Sequence, residues 1–406
     1  MPDNRPKLRP LDLIPIAGRG AQQFLLRDPQ RLSTQEVLLP PDIAYLLTQF
    51  DGTRTVREAQ VNYVRRFGSL LTTDKINDLL ARLDEALFLD SERFQQFAAH
   101  MKAEFLARPT RAAAHAGRSY EESAGALVSA WQGRLEAASV PEDFALDERR
   151  PALIAPHYDM NAAAECYAAA YALLARCERP EVVVILGISH SGGGAFTLTR
   201  KPFETPLGAL ETDGKITDTL AEGAGFDVFA DEFIHRDEHS IEFQAVLLHA
   251  LYHQAEPPKI VPILCGGYHR RNGDFVDPEE ADSVRDFLDL LRDTIGADSR
   301  RVGVIASADL SHIGARFGQP PPLTQAHVDL ARRHDTAVLE KAQAGDAAGL
   351  YQLVAAEQDR HNVCGFPAMY ALVRALPITE GRVLSYRQAV DAQTQSCVSF
   401  ASVALR

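Results

Sequence analysis

The sequence predicts an α/β fold, with a mainly parallel sheet and flanking helices, preceded by a small α+β domain. The main observation is the apolar run at 182–186, in which four of the five residues are β-branched. Such a run is typical of a strand that is buried on both faces, as strands in parallel sheets are. Similar runs stand at 153–155 and 302–306, and helical patterns separate the three. Strands that alternate with helices favour a parallel sheet.

The first 92 residues have the pattern of a small domain. Residues 1–20 are rich in proline and arginine, and we expect them to be extended. Thr55 and the segment Thr72-Thr73-Asp74 are of the types that begin helices. The elements predicted after residue 20 are a strand at 23–27, helices at 41–47, 56–64 and 75–86, and a closing strand at 87–90.

A helical connector and a larger domain follow. Phe94, Phe97 and Phe105 recur among polar residues and alanines, which predicts a helix that ends near Pro109. The elements predicted beyond it are a helix at 127–135, a strand at 153–157, a helix at 161–175, and strands at 182–186, 259–265 and 302–312, with a helix at 284–291 before the last strand. The predicted limits are 1–92 for the first domain, 93–109 for the connector and 110–406 for the second domain.

Charge and composition exclude several classes of protein. The net charge of −13 argues against a non-specific nucleic-acid binder, which needs a basic face. The five cysteines are widely spaced and form no CxxC pair, so neither a disulfide framework nor a structural zinc site is predicted. No signal-peptide core and no apolar run of bilayer length is present. We therefore expect a cytoplasmic protein with neither nucleic-acid nor membrane partners.

Three of the strand-like segments lead into a histidine: His157, His190 and His312. The carboxyl ends of parallel strands meet at one edge of a sheet, where ligands bind, so we expect the three imidazoles to lie together. Such a cluster suits an iron, copper or zinc ion, or acid–base chemistry. A single histidine at a strand end is more often a hydrogen-bonded loop residue, and the prediction depends on finding three.

Acidic residues accompany these histidines. Asp237, Glu238 and His239 stand in a dense cluster of ionisable groups, which we expect to be the first turns of a helix. They either orient an imidazole or include a general base. The alternative for the two acids is helix capping, since a negative charge is favourable at a helix start. Asp309 lies three residues before His312, and we expect it to fix the tautomer of that ring.

Of the five cysteines, Cys364 has the sequence context that most favours a metal-binding thiol. Gly365 follows it, and Pro367 is a suitable first residue for a helix. A thiol that lies just before a helix has a lowered pKa and binds metal more readily, which is what we expect here. The alternative is a small buried apolar side chain, the commoner role of a free cysteine.

The first domain resembles the PqqD-like family of small winged-helix domains that bind peptides. The resemblance rests on the segments Phe50-Asp51-Gly52-Thr53-Arg54-Thr55-Val56 and Leu79-Leu80-Ala81-Arg82-Leu83. It implies binding of a peptide or a partner protein, for example by strand addition. The alternative is a small packing module. A DNA-binding role is disfavoured because the helix at 75–86 is net acidic.

The second domain resembles the Memo family, whose fold is similar to that of the class III extradiol dioxygenases. The matching segments occur in the family's order and are His115-Ala116-Gly117, Ala155-Pro156-His157, Leu186-Gly187-Ile188-Ser189-His190, Thr205-Pro206-Leu207, Asp237-Glu238-His239-Ser240-Ile241-Glu242, Ser307-Ala308-Asp309-Leu310-Ser311-His312 and Val363-Cys364-Gly365. The resemblance implies that His157, His190 and Cys364 are metal ligands and that His239 and His312 line the same cleft.

This sequence departs from the Memo family pattern at two places, which affect the expected substrate more than the expected metal ligands. Tyr158-Asp159-Met160 replaces the Ala-Gly-Tyr that often follows the first histidine, and Ser191 replaces a histidine that often follows the second. The dioxygenases have a glutamate at the position of Cys364, so their chemistry does not carry over directly.

The function implied by the resemblance is a role in a modification pathway. Bacterial Memo proteins resemble protein B of the AmmeMemoRadiSam system, which is named for its association with a radical-SAM protein. Under this hypothesis the first domain delivers a peptide or a radical-SAM partner, and the second acts on it. The expected catalytic side chains are His312, His239, Asp237 and Asp309. Two alternatives stay open: an extradiol-type iron dioxygenase with His312 as the acid–base, and a non-catalytic scaffold that binds a peptide.

Overall fold

A computed structural model describes residues 5–16, 22–271 and 274–406 of the protein. The chain divides into two compact units. The N-terminal unit comprises Met1–Ala107, Gly314–Leu323 and Asp391–Ser396, and the sheet unit comprises Arg108–Ile313, Thr324–Val390 and Cys397–Arg406. No helix among the described residues is long and apolar enough to cross a membrane.

The N-terminal unit contains a small antiparallel sheet followed by helices. Its elements are β1 (Asp12–Ile16), β2 (Gln23–Arg27), β3 (Val37–Leu39), α1 (Pro41–Leu47), α2 (Val56–Phe67), α3 (Thr73–Glu85) and α4 (Glu92–Ala107). The three strands pair in the order β1-β2-β3. The closing strand predicted at 87–90 is wrong: only Leu89 makes a single bridge, to Leu8. Of the predicted extended segment 1–20, strand β1 is extended, and residues 1–4 and 17–20 lie outside the described part.

Caps and apolar faces explain the helices of this unit. The hydroxyl of Thr55 accepts the backbone N–H of Glu58, whose carboxylate accepts the N–H of Thr55, so α2 begins with a capping box. Gly68 ends α2 in the left-handed conformation, with φ of 69°. The apolar faces of the first three helices pack into one core around Leu46, Ile76 and other buried side chains. Burial of these faces, more than intrinsic propensity, stabilises such short helices.

The sheet unit alternates strands and helices, as predicted. Its elements in chain order are α5 (Ala124–Ala137), β4 (Ala152–Ala155), α6 (Ala164–Leu174), β5 (Val182–Ile188), β6 (Phe196–Leu198), β7 (Phe203–Thr205), β8 (Gly208–Leu210), α7 (Gly214–Gly223), α8 (His239–Leu251), β9 (Lys259–Cys265), β10 (Arg270–Arg271), β11 (Asp274–Phe275), α9 (Asp282–Ala297), β12 (Val302–Ser307), β13 (Asp309–Gly314), α10 (Gln325–Gln343), α11 (Ala347–Ala356), α12 (Phe366–Ala375), β14 (Gly381–Asp391) and β15 (Ser396–Leu405).

The central sheet has the strand order β13-β15-β4-β12-β5-β9-β6. The four strands β4, β12, β5 and β9 run parallel, and β15 and β6 flank them in the antiparallel sense. The mainly parallel sheet predicted from the apolar runs is therefore confirmed. Because β4, β12 and β5 are neighbours, the segments that follow them emerge side by side at one edge of the sheet.

Strand β5 is buried on both faces. Alternate residues from Val182 to Ile188 share a core with Phe287 of α9 and Leu372 of α12. On the other face, a Cβ placed on Gly187 would lie 2.6 Å from Ile241 Cγ1 and 2.7 Å from Ser240 Oγ. Glycine therefore allows the first turn of α8 to approach the strand closely. The strand was predicted at 182–186, and it runs two residues further, through Gly187 to Ile188.

The run predicted as one strand at 302–312 is two strands. Strand β12 ends at Ser307, Ala308 separates the strands, and β13 begins at Asp309. His312 therefore lies within β13 and not directly after a parallel strand. The fully buried Asp309 at the start of β13 accepts backbone N–H groups from the segment after β4, which ties the two chain segments together.

Candidate metal centre

The three predicted histidines meet at the carboxyl edge of the parallel strands. His157 follows β4, His190 follows β5, and their ring centroids lie 5.0 Å apart. Cys364 lies between His157 and His312: its Sγ is 3.3 Å from Nε2 of the first and 3.9 Å from Nε2 of the second. We call these four side chains, with His239 and Asp309, the cleft.

Each of the three imidazoles has its Nδ1 held by a protein acceptor. Nδ1 of His157 lies 3.0 Å from the Ser307 carbonyl, and Nδ1 of His312 lies 2.9 Å from the Leu310 carbonyl. Nδ1 of His190 lies 3.0 Å from a carboxylate oxygen of Glu238. These acceptors assign the proton to Nδ1, so that in the neutral rings Nε2 carries the lone pair. This tautomer leaves Nε2 of each ring free to bind a metal ion.

His157 is the most deeply buried of the cleft imidazoles, with 2% of its surface exposed. Burial lowers its pKa to about 3, and the nearby His190 acts in the same direction. The ring is therefore neutral at pH 7, which is the form that binds metal. Its Nε2 is 3.5 Å from Oδ2 of Asp309 and 3.3 Å from the thiol of Cys364.

His190 is held by Glu238. The Glu238 carboxylate accepts both the backbone N–H and the ring N–H of His190, at 3.0 Å each, and the N–H of Ser240 at 3.0 Å. Desolvation lowers the pKa of His190, but the Glu238 charge and hydrogen bond outweigh it, so this pKa is raised. Burial raises the pKa of Glu238, and the His190 and His239 charges outweigh it, so that pKa lies well below its usual range.

His239, the first residue of α8, stacks on His190. The ring centroids are 4.8 Å apart and the planes differ by 20°. Its Nδ1 lies 3.3 Å from Oε1 of Glu238. Burial lowers the pKa of His239 well below the usual value, and the charges of His190 and His157 add to this. The side chains of His190 and His239 are 36% and 31% exposed, so these rings form the solvent side of the cleft.

Cys364 differs from its prediction in one respect. It lies before α12, as predicted, but burial raises its pKa well above the usual value, and the Asp309 charge adds to this. The lowered pKa expected from the helix start is therefore wrong, because desolvation of a thiolate outweighs the influence of the helix. A bound cation would reverse that balance, since a coordinating thiol is deprotonated.

Asp309 was predicted to fix the ring of His312, but its hydrogen bonds hold the backbone of His157 instead. Its Oδ1 accepts the backbone N–H of His157 at 3.0 Å and of Tyr158 at 3.2 Å. The Leu310 carbonyl, and not Asp309, accepts the Nδ1 proton of His312. Burial raises the pKa of Asp309 to about 6, against the opposing charge of His312. A carboxylate with this pKa is partly protonated near neutral pH.

The structure does not bring the carboxylate of Asp237 to the other predicted residues. That carboxylate pairs with Arg236, and the backbone carbonyl of Asp237 accepts a hydrogen bond from Nε2 of His115 at 3.0 Å. Helix α8 begins at His239 with Glu238 as its cap, so Asp237 precedes the helix. Among the described residues, no hydrogen bond or ion pair joins the Asp237 carboxylate to the cleft imidazoles. No contact therefore supports the catalytic role expected for Asp237.

A buried hydrogen-bond network that the sequence did not predict supports the segment 235–238, which leads into α8. Arg111 is fully buried and pairs with Glu242 of α8. Its guanidinium also donates to the carbonyls of His235 and Glu238, each at 2.8 Å. The Tyr120 hydroxyl donates to the same Glu242 carboxylate at 2.5 Å. The sequence carries no local sign of this network, because Arg111 stands alone in a segment with no regular pattern.

Two compact donor groups in the cleft share His157. One consists of His157, His190 and His239, and the other of His157, Asp309 and Cys364; within each, the ligand atoms lie within 4.8 Å of one another. The predicted ligand set of His157, His190 and Cys364 draws on both groups. Imidazole and thiolate donors suit zinc, copper or iron.

Comparison with known proteins identifies the family. The model of the Memo family, described as "Memo-like protein", matches residues 111–404. A MEMO1 family protein of Aquifex aeolicus is 27% identical over 403 residues, which cover 98% of this chain and 99% of the relative. A MEMO1 family protein of Thermus thermophilus is 28% identical over 360 residues, 87% of this chain and 99% of the relative. One of Methanopyrus kandleri is 30% identical over 266 residues, 63% of this chain and 83% of the relative. The family model covers well over half of the chain, and the protein belongs to the Memo family.

Proposed function

We propose that the cleft binds a transition-metal ion, with His157, His190 and Cys364 as ligands. The observation that carries this proposal is the shared orientation of the rings: protein acceptors hold Nδ1 of His157 and His190, which leaves Nε2 of both for a ligand. The thiol of Cys364 lies 3.3 Å from Nε2 of His157. An ion bound there supplies Lewis acidity toward a substrate oxygen.

The other cleft residues have supporting roles in this proposal. Glu238 orients His190 by accepting its Nδ1 proton, while Asp309 positions the backbone of His157. His312 and His239 are the groups that exchange protons with a bound substrate, since His312 faces Cys364 and His239 forms part of the solvent side. Burial lowers the pKa of His312 to about 4, so its ring is neutral at pH 7 and can accept a hydrogen bond from a substrate.

For the N-terminal unit we propose a peptide-binding role, in a modification system that also contains a radical-SAM protein. The segments that resemble PqqD-like domains, at 50–56 and 79–83, support this proposal. Strand β3 is an edge of the small sheet and exposes 57% of Leu38. An edge strand with an exposed apolar side chain suits the addition of an extended peptide.

Cobalt(II) titration of chelator-treated, reduced protein tests the metal proposal. Wild type should show a thiolate-to-metal charge-transfer band that Cys364→Ala lacks. Cys177→Ala is the matched control, because Cys177 is a partly buried thiol like Cys364 but lies outside the cleft. His190→Ala should weaken binding by at least tenfold. No charge-transfer band in wild type would refute the proposal.

Two further assays separate the alternative functions. An extradiol-type dioxygenase predicts oxygen uptake by the iron-loaded protein with a catechol-like substrate, and this uptake should be lost in His312→Ala. If the protein is a non-catalytic scaffold, the double variant His157→Ala/Cys364→Ala should still bind its partner peptide although it no longer binds the metal. Our proposal predicts that neither holds: catechol is not consumed, and partner processing is lost with the metal.

A further inference from the structure

A second cluster of histidines lies outside the cleft. His334 is on α10, and Glu357 and His361 stand in the turn after α11. The rings of His334 and His361 stack, with centroids 4.2 Å apart and planes 21° apart. One nitrogen from each ring and one oxygen of Glu357 lie within 4.8 Å of one another. The arrangement brings three potential ligands together from two separate elements.

Both rings are buried, and none of their nitrogens forms a hydrogen bond. His334 is 6% exposed and His361 is 3% exposed, yet all four ring nitrogens are without a hydrogen-bond partner. Oε2 of Glu357 lies 3.3 Å from Nε2 of His361, which is an ion-pair distance without hydrogen-bond geometry. Buried polar atoms in native proteins are nearly always paired, so three nitrogens without any polar partner, beside one with only a loose ion pair, point to a missing partner.

The chemistry of the cluster suits a cation. Burial lowers the pKa of both imidazoles, and for His334 the charge of His361 adds to this, so both rings are neutral at pH 7. Neutral imidazoles offer lone pairs, and Glu357 offers a negative charge. The Glu357 side chain is 34% exposed, which gives an ion a route from solvent. Arg360 also donates to this carboxylate, at 2.9 Å, and a carboxylate has further lone pairs for a metal ion.

We infer that His334, Glu357 and His361 form a second metal site, which takes zinc or another divalent transition ion. Two imidazole nitrogens and one carboxylate oxygen are a ligand set found for zinc, with water in the remaining position. The site has no sulfur ligand and therefore differs chemically from the cleft. Its three side chains are not among the cleft residues.

An ion in this site would act on the cleft through the backbone. The carbonyl of His361 accepts the backbone N–H of His312 at 2.6 Å, and Cys364 follows three residues later in the chain. Gln358 and Asp359 of the intervening turn both have positive φ, of 52° and 45°. An ion that joins Glu357 and His361 to α10 would hold this turn, and with it the segment that leads to Cys364.

Zinc titration of a variant without cleft ligands tests the inference. In chelator-treated His157→Ala/Cys364→Ala protein, calorimetry should detect one equivalent of zinc, and zinc should raise the melting temperature by mass action. Adding Glu357→Gln should weaken this binding by at least tenfold. Glu357 is partly exposed, so this substitution should leave the fold intact. Cobalt(II) in the cleft-free protein should give no thiolate charge-transfer band.

The chain offers a matched control for Glu357→Gln. His100 and Glu104 form an exposed pair with the same spacing and a distance of 3.4 Å. Glu104→Gln should leave zinc binding unchanged, because that pair has no second imidazole. If the cleft-free variant binds no zinc while wild type binds one equivalent, the second site is refuted and the cleft proposal stands. If Glu104→Gln weakens binding as much as Glu357→Gln does, the assignment to this cluster is wrong.

Discussion

At the scale of single residues, Glu238 determines the state of His190. One carboxylate accepts the ring N–H and the backbone N–H of His190 and also caps α8 through Ser240. The other cleft histidines with shifted pKa values, among them His157 and His312, have lowered values because burial disfavours the charged ring. His190 is the exception among these, since a buried opposite charge compensates for desolvation.

The variant Glu238→Gln should lower the pKa of His190, because the amide keeps the hydrogen-bond acceptor but removes the charge. It should also weaken metal binding by 10- to 100-fold, the range typical of lost partners of metal-binding imidazoles. NMR titration of the His190 ring protons and zinc titration measure the two effects. Asp237→Asn is the matched control, since its carboxylate pairs with Arg236. An unchanged His190 pKa in Glu238→Gln would contradict this account.

At the scale of elements, the segment before α12 reaches the cleft only because it packs against the junction between β12 and β13. A Cβ on Gly365 would lie 2.3 Å from the carbonyl oxygen of Asp309 and 2.6 Å from Cβ of Ala308. The backbone N–H of Gly365 donates to the same Asp309 carbonyl at 3.1 Å. A glycine is required here for space, and it sets how close Cys364 comes to His157.

We expect Gly365→Ala to reduce the free energy of unfolding by about 1–3 kcal/mol, the usual cost of overpacking, and to weaken metal binding. Urea unfolding and cobalt titration measure these changes. Gly133→Ala in α5 is the matched control: its added Cβ would meet nothing within 4 Å, and alanine in a helix should stabilise the protein by about 0.5–1 kcal/mol. Equal effects of the two substitutions would contradict the role given to Gly365.

At the scale of the whole molecule, buried neutral histidines make the fold sensitive to acid. The histidines with lowered pKa values are His157, His235, His239, His249, His269, His312, His334 and His361. Unfolding exposes these rings and restores an ordinary pKa near 6.5, so the unfolded state binds more protons below that pH. Their contribution to stability is present above pH 6.5 and is lost as the pH falls toward about 3.

The free energy of unfolding should therefore fall as the pH drops from 7 to 5. Each ring that stays neutral in the folded state should lower the free energy of unfolding by about 2 kcal/mol at pH 5. Asp309, with its pKa raised to about 6, acts in the opposite sense and offsets part of the loss. Urea unfolding of chelator-treated protein at each pH measures this dependence. His235→Asn should reduce the slope, whereas His100→Asn, at an exposed position, should not. Constant stability over this range would refute the prediction.

Local patterns in the sequence were sufficient for the sheet and for part of the cleft. The apolar run at 182–186 predicts a buried strand because five such side chains cannot remain in water at low cost. The order of strands and helices predicts the parallel sheet, which in turn places His157 and His190 at one edge. These predictions succeed because each depends on neighbouring residues or on a general rule of topology.

Contacts between distant parts of the chain decided the rest. The sequence does not distinguish Asp237 from Glu238, and only the packing of α8 against β5 turns Glu238 toward His190. The pKa of Cys364 was predicted with the wrong sign because its burial depends on elements far away in the chain. His334 and His361 gave no local pattern and meet through the packing of helices. Desolvation and pairing of charges are properties of a three-dimensional neighbourhood, so the tertiary structure alone determines them.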